Sequence, residues 1–334
     1  VWPEQASVAS VAAVFLSAFL LTYFITPVMV RKIAARGLTG KDMNKLGQPQ
    51  VAELGGISIL LGLSLGIICA TFISTYLGYI KLDLALLFAA FLTIILVGFI
   101  GVIDDLIGWK KGIRQWQHAL FPLFAALPLM AVNAGTHDIV LPFVGSVPLG
   151  IFYSLLLVPI GITGASNAFN MLAGFNGLEA GLGIIIVSTL SVIAALYGEP
   201  EALVIGVAVV GALLAFLKYN WFPAKVFGGD SLTMMVGAGI ATISIVGNME
   251  KAGIAIIALY WVEFIFKARR KFQSECFGIP QKDGTLRPDP RGGSLTHVMM
   301  SLGKFTEAQV VRNFLAVQLV ISVAVFLLFY YQLF

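Results

Sequence analysis

Asp104 and Asp105 follow directly on twenty residues without a charge, Leu84 to Ile103. About twenty apolar residues is the length that crosses a bilayer. Charge at the end of such a span is costly unless it reaches water or does chemical work. Two adjacent carboxylates suit a hard divalent cation. Other polar groups gather elsewhere between apolar runs. Asn167, Asn170 and Asn176 lie in NAFNMLAGFNGLEAG (Asn167 to Gly181), and Asp230 lies in VFGGDSL. Arg287, Arg291 and His297 lie in the longest polar segment, Lys267 to Glu307. Carboxylate and amide oxygens hold a cation, backbone N–H groups at glycine turns bind phosphate, and Arg or His neutralises the remaining charge. The set fits a magnesium–pyrophosphate site.

Each of these residues also has a plainer use. The aspartate pair could be an interfacial helix stop. Asn167 and Asn170 could close a helix with a polar turn. Asp230 suits the N-cap of a helix, a role that does not exclude binding a ligand. His118 and His297, taken singly, suit structural roles, and His137 is assigned none. Trp109, Trp116 and Trp221 are simplest as anchors at the membrane interface.

The elements that must position these residues are membrane helices. Of 334 residues, 59% are hydrophobic and 11% charged, where a soluble domain carries roughly 25% charged residues. The mean hydropathy is +0.94. A single all-α, polytopic membrane domain over residues 1–334 is expected, and its 35 glycines suit close packing of membrane helices. Apolar runs predict ten helices, near 7–30, 54–76, 84–103, 116–133, 149–169, 178–197, 201–218, 228–248, 252–267 and 309–332. The 116–133 and 252–267 runs are short or interrupted by polar groups. Residues 136–148, with Pro142, Gly145 and Pro148, predict a small external hairpin.

Ten spans place residues 31–53, 104–115, 170–177, 219–227 and 268–308 on one side. Of 21 Lys and Arg, only Lys81 and Lys251 fall on the other side. Positive loops stay in the cytoplasm, so the polar clusters should be cytoplasmic, with a long cytoplasmic loop at about 268–308. The basic balance serves orientation and does not point to nucleic acid. Cys69 and Cys276 make no disulfide framework. No internal repeat is evident.

With these motifs in view, the chain resembles the polyprenyl-phosphate N-acetylhexosamine-1-phosphate transferases. The matching pieces are KDMNK (Lys41 to Lys45), GVIDDL (Gly101 to Leu106), NAFNMLAGFNGLEAG and NWFPAKVFGGDS (Asn220 to Ser231). The third looks like the dolichyl-phosphate GlcNAc-1-phosphate branch of archaea and eukaryotes. The bacterial phospho-MurNAc-pentapeptide translocases are more distant, with aspartates at the positions of Ala173 and Asn176. The resemblance implies ten helices and transfer of a sugar 1-phosphate, most simply GlcNAc-1-phosphate, from a UDP-sugar to a polyprenyl (dolichyl) phosphate. It implies Mg²⁺, with Mn²⁺ as an alternative, held by Asn170 and Asp230. Asp104 and Asp105 correspond to the essential acidic pair. Phe227 would stack on uracil, while Asn176, Gly174, Gly177 and Lys45 would bind the nucleotide. His118 stands where the family has a phosphate-contacting lysine, with Lys110, Lys111 and Arg114 nearby. Arg287, Arg291 and His297 would take the place of the eukaryotic PRHR stretch at phosphate and sugar. A multi-pass protein is implied, in an archaeal plasma membrane or a eukaryotic ER membrane, and the family can form homodimers.

Three alternatives stand beside this reading, one with the same chemistry and two from other classes. A related cell-wall enzyme would use another UDP-aminosugar. A transporter would need ionisable groups near the bilayer midplane, for which Glu263 is the best candidate. A membrane scaffold gives no reason for carboxylates and amides to converge from four loops.

Overall fold

A chain in a bilayer must satisfy its backbone polar groups within each segment, so apolar runs become helices. The computed structural model describes residues 7–107, 115–136, 138–141 and 145–333. Helix α1 (Val8–Ala34) starts at Ser7, whose hydroxyl accepts the Ser10 N–H. It runs beyond the expected end at 30, because Arg31 and Lys32 in its last turn favour the negative end of the helix dipole. Strands β1 (Thr39–Lys41) and β2 (Gln50–Ala52) form an antiparallel hairpin with Thr39 opposite Ala52. Helix α2 (Gly56–Phe72) continues through a π-helical turn to Leu77.

Helix α3 (Leu84–Ile107) does not stop before the aspartate pair. Asp104 and Asp105 were expected to open a loop; they lie instead in the last turns of α3, where no residue breaks the helix. The run expected at 116–133 divides at Ala126 into α4 (Gln115–Ala125) and α5 (Leu127–Ala131), with Pro128 in the first turn of α5. Proline has no N–H to give an uninterrupted helix. Strands β3 (Asp138–Leu141) and β4 (Gly145–Pro148) form the hairpin expected at 136–148. A π-helical turn at Tyr153–Leu157 leads into α6 (Val158–Met171). Then follow α7 (Leu178–Tyr197), α8 (Pro200–Asn220) and α9 (Asp230–Val246). The run at 252–267 is broken at Ile257 into α10 (Glu250–Ile256) and α11 (Ala258–Arg269).

The segment at 268–308 is ordered rather than a bare loop. Strands β5 (Ile279–Pro280), β6 (Thr285–Arg287) and β7 (Phe305–Thr306) form one sheet in that order. Helix α12 (Leu295–Ser301) lies between β6 and β7, and α13 (Glu307–Tyr330) closes the chain behind a capping box at Thr306 and Gln309. Among the described residues the fold is therefore mostly helical with three small sheets, not purely α.

Among the described residues, six helices are long and apolar enough to cross a membrane: Val8–Ala34, Gly56–Leu77, Leu84–Ile107, Leu178–Tyr197, Pro200–Asn220 and Glu307–Tyr330. The protein is an integral membrane protein. Helix α9 is its centre, with every residue from Ser231 to Val246 buried against α3, α6, α7 and α8. Helices α1 and α13 are peripheral and expose large apolar side chains such as Phe24 and Val320. That outward apolar surface is what lipid tails require.

Candidate active site

The first half of the site is the start of α9. Gly101 lets α3 touch it, since a Cβ there would sit 2.4 Å from the Asp230 carbonyl oxygen. One turn further along α3, the Asp105 carboxylate accepts two backbone bonds from α9. Oδ1 takes the Asp230 N–H at 2.8 Å and Oδ2 the Ser231 N–H at 3.1 Å. The first N–H groups of a helix have no partner within it and carry its positive dipole end. Asp230, expected as the N-cap, is instead the first residue of α9; Gly229 holds the cap position and contributes no side chain. Asp105 caps α9 from a neighbouring helix. From the end of α6, Asn170 Oδ1 accepts the Thr233 hydroxyl at 2.8 Å. Three helix ends thus bring Asp105, Asn170 and Asp230 to one place.

The second half is made of loops. Phe227 is fixed by its backbone: its N–H donates to Ala52 at 2.8 Å and its carbonyl accepts the Gly55 N–H at 2.9 Å. Gly174 has φ +104°, a left-handed conformation that glycine adopts without strain. A Cβ there would also strike the Phe277 ring at 2.5 Å. The Gly174 N–H donates to the Glu179 carboxylate. Gly177 lies against Trp221, where a Cβ would come within 2.7 Å of the indole. Trp221 is thus packed under the glycine turn.

Asn176 is buried and its side chain is engaged. Its Oδ1 accepts Lys45 Nζ at 2.7 Å and the Ala224 N–H at 2.7 Å, and its Nδ2 donates to Asp42 Oδ2 at 3.2 Å. Its backbone N–H donates to Glu307 Oε1 at 2.8 Å. Lys45 also bonds Asp42, stands 3.7 Å from Glu307 Oε2, and lies over the Phe222 ring.

Between these halves lies a cleft of about 520 Å³. Of the expected residues, Asp105, Asn170, Gly174, Phe227 and Asp230 line it. Asp104, Asn176, Gly177, Lys45, Arg287, Arg291 and His297 are not among its lining residues. The side chain of His118, on α4, lies outside the described set, as do residues Lys110, Lys111 and Arg114. Arg287 is exposed. Arg291 is exposed and bonds Asp289 at 2.8 Å, and that bond holds the Asp289 carboxyl down at about 2. His297 is buried, with Nε2 3.1 Å from the Phe277 carbonyl oxygen.

Glu53, Asp42, Glu179 and Phe277 line the cleft without having been singled out. Glu53 had a readable signal, an acidic residue directly before the apolar run 54–76, the mirror image of the aspartate pair after 84–103. Its carboxyl is pushed above the ordinary glutamate value, first by burial and then by the charge of Asp230. Glu263 has structural work: it is fully buried, and its Oε2 accepts the Leu295 N–H at 2.7 Å and the Ser294 hydroxyl at 3.2 Å. It anchors the start of α12, which accounts for its charge without a transport path. Cys69 and Cys276 are both free thiols.

The donor set suits magnesium better than a transition metal. Among the described residues, no group of three His, Cys, Asp or Glu could hold a metal by itself. The cleft instead offers carboxylates from Asp230, Asp105 and Glu53 and an amide oxygen from Asn170, all hard oxygen donors. Magnesium commonly uses one or two carboxylates together with waters and substrate phosphates.

Residues 87–248 match the profile of glycosyl transferase family 4. A protein of Saccharolobus solfataricus named as a UDP-N-acetylglucosamine–dolichyl-phosphate N-acetylglucosaminephosphotransferase is 36% identical over 301 residues, 89% of each chain. One of the same name from Sulfolobus acidocaldarius is 34% identical, over 91% of this chain and 92% of the relative. The chain belongs to glycosyl transferase family 4. A phospho-N-acetylmuramoyl-pentapeptide-transferase of Limosilactobacillus reuteri is also similar, 30% identical over 76% of this chain and 80% of its own. The family match runs from α3 to just past α9 and so contains Asp104, Asp105, the glycine turn, Phe227 and Asp230. The β1–β2 hairpin and the 268–308 segment, which complete the cleft, lie outside it.

Proposed function

We propose that this family 4 protein transfers N-acetylglucosamine 1-phosphate from UDP-GlcNAc to a polyprenyl phosphate of the dolichyl type. The products are a polyprenyl-diphosphate sugar and UMP. The observation that carries the reading is the convergence of Asp105, Asn170, Asp230, Gly174 and Phe227 on one cleft between helix ends and loops. The archaeal relatives supply the substrate class.

An oxygen of the lipid phosphate attacks the β-phosphorus in line. The bond from that phosphorus to the oxygen bridging the α-phosphate breaks, and UMP leaves with the electron pair. A phosphate monoester has its second pKa at about 6, so the attacking group is already largely a dianion at neutral pH. A strong base is then not required, and positioning and charge stabilisation carry the reaction. Asp230 and Asn170 would hold magnesium, with Glu53 close by. The cation would offset the charge growing on the leaving phosphate. Asp105 keeps α9 aimed at the cleft, and Asp104 orients the lipid phosphate. Phe227 offers its ring to uracil, and the turn at Gly174 lets the nucleotide approach the backbone. His118, or the cations Lys110, Lys111 and Arg114, would meet the lipid phosphate. Arg287, Arg291 and His297 stand in the segment that would cover the sugar.

The substrates and the basic loops give the location. A water-soluble sugar nucleotide and a lipid phosphate meet at the headgroup plane, and the loops that carry the site hold nearly all the Lys and Arg. The site therefore belongs on the cytoplasmic face. The test is UMP release by the purified full chain with UDP-GlcNAc, dolichyl phosphate and Mg²⁺. Full activity of Asp230→Ala at limiting magnesium would remove the metal assignment. An unchanged KM for both substrates in Arg291→Ala would remove that residue from the phosphate site.

A further inference from the structure

Helix α11 buries an ion pair although much of it is apolar and exposed. Trp261, Val262, Phe264 and Ile265 are exposed, while Glu263 and Lys267, one turn apart, are buried with their charged groups 3.7 Å from each other. Taking two charges out of water commonly costs more than their attraction returns, so stability alone does not account for the pair. Its hydrogen bonds show another use. Glu263 Oε2 accepts the Leu295 N–H and the Ser294 hydroxyl, and Lys267 Nζ donates to the Ser274 carbonyl at 2.6 Å and to the Cys276 sulfur at 3.3 Å. One turn of α11 therefore ties down both ends of the stretch 274–296. Further links lead on toward the cleft. The Ser294 and Thr296 hydroxyls stand 2.9 Å apart, and the Thr296 hydroxyl donates to the Cys276 carbonyl at 2.6 Å. The Cys276 thiol donates to the carbonyl of Met171, the residue after Asn170, at 3.1 Å. The next residue is Phe277, whose ring lies against Gly174. Among the described residues, Phe277 is the one member of the 268–308 segment that lines the cleft, and neither Glu263 nor Lys267 does. The segment thus reaches the cleft as an aromatic ring and not as a cation. A nucleotide sugar carries two rings, a base and a pyranose. Of the phenylalanines lining the cleft, Phe175 is buried, while Phe227 and Phe277 are half-buried and have ring surface to offer. With Phe227 read as the seat of uracil, Phe277 is left for the sugar. Aromatic rings in clefts supply apolar contact area, which suits the C–H groups and acetamido methyl of an N-acetylhexosamine.

We propose that Phe277 is a specificity-determining residue that packs on the N-acetylhexosamine of the donor, and that Glu263 and Lys267 are positioning residues that hold its ring from outside the cleft. The pair fixes the start of α12 and the 274–276 stretch, and Thr296 passes that constraint to the residue before Phe277. The choice of sugar rests on the proposed function.

The experiment uses the full chain in detergent micelles and compares the affinities of UDP-GlcNAc and UDP by calorimetry. Phe277→Leu keeps apolar bulk against Gly174 and removes the ring. It should weaken UDP-GlcNAc about tenfold and leave UDP within about twofold. Glu263→Gln with Lys267→Met removes both charges together, so neither is left buried alone. Thr296→Val removes the hydroxyl link at constant shape, and decides the matter if the charge variant does not fold. Each should reproduce the loss for UDP-GlcNAc and spare UDP. Combined with Phe277→Leu, each should add less than about twofold, because the ring it holds is already gone. Hydrogen exchange at the Leu295 amide, which donates to Glu263, should quicken in the charge variant. Unchanged UDP-GlcNAc affinity in Phe277→Leu overturns the proposal. So does a loss shared equally by UDP in the Glu263–Lys267 and Thr296 variants, which would mark a general disturbance, and so do fully additive losses or unchanged Leu295 exchange. A wild type that binds neither uridine compound sinks the proposed function and this inference with it; a wild type that binds both, with variants that do not distinguish them, sinks this inference alone.

Discussion

At one wall of the cleft helix ends meet; at the other, loops drawn from distant parts of the chain do. The first wall is α3 against α9, where Asp105 binds the first N–H groups of α9 and Asn170 bonds Thr233. Its polar groups are held by backbone dipoles of long buried helices. The second wall is held by side chains, across 131 residues between Lys45 and Asn176 and 134 between Asp42 and Asn176. Such contacts form only after long loops have closed, so they lean on the whole bundle. A wall fixed by helix ends can present charge to a reacting phosphate without reorganising. A wall of loops sets shape, and shape governs which ligand fits. Damage to the first should therefore appear in turnover, and damage to the second in affinity.

The largest effect is expected at Asp105. Asp105→Ala leaves two α9 N–H groups without acceptors and takes a carboxylate from the cleft. Turnover should fall on the order of a hundredfold, the value of two such bonds, with the donor KM nearly unchanged. Asp105→Asn, which keeps one acceptor oxygen, should lie between. A donor KM that rises as steeply as turnover falls would erase the contrast between the walls.

Asn176→Asp is the matching change on the loop wall. It removes the Nδ2 donor and sets a third carboxylate beside Asp42 and Glu307, with Lys45, among the described residues, the cation bonded to them. The donor KM should rise about tenfold while turnover stays within about threefold, as steady-state kinetics would show. Gly101→Ala tests packing alone. Its Cβ would meet the Asp230 carbonyl at 2.4 Å, so α3 and α9 must part. Overpacking of this kind costs about 1–3 kcal/mol, which thermal unfolding of the ligand-free protein would register.

The smallest effect concerns pH. The Glu53 carboxyl is raised from its ordinary value of 4.5, chiefly by burial and then by Asp230. The folded state then holds that proton more tightly than the unfolded chain. Stability contributed by the protonated form is fully present below 4.5 and is lost as pH rises from there through the folded value. In metal-free protein Glu53→Gln should flatten this slope, and Mg²⁺ should reduce it in the wild type. A Glu53→Gln variant with the wild-type slope would show that another group carries it.

The same contrast explains what the sequence revealed. Asp104-Asp105 announced itself as charge after an apolar span, and Asp230 as an acidic residue at a helix start. Both signals are local, and both residues lie where helices meet. The partner of Asp105 was not legible, because nothing near it in the chain says that α9 begins beside it. Glu307 carried no signal, and Asn44 stood in the KDMNK stretch without a role of its own: each is a polar residue whose partners appear only when segments more than a hundred residues apart close on it. The 268–308 segment read as a loop because its strands are two or three residues long, too short for alternation to show. The breaks at Ala126 and Ile257 left fainter marks, Pro128 in the first case and a weak apolar run in both.

The most direct test counts products. Purified full-length protein, given UDP-GlcNAc, dolichyl phosphate and Mg²⁺, should yield UMP and lipid-linked GlcNAc diphosphate in equal amounts, and Asp230→Ala should yield neither at limiting magnesium. Release of UDP with free sugar, or no UMP from the wild type, would contradict the account.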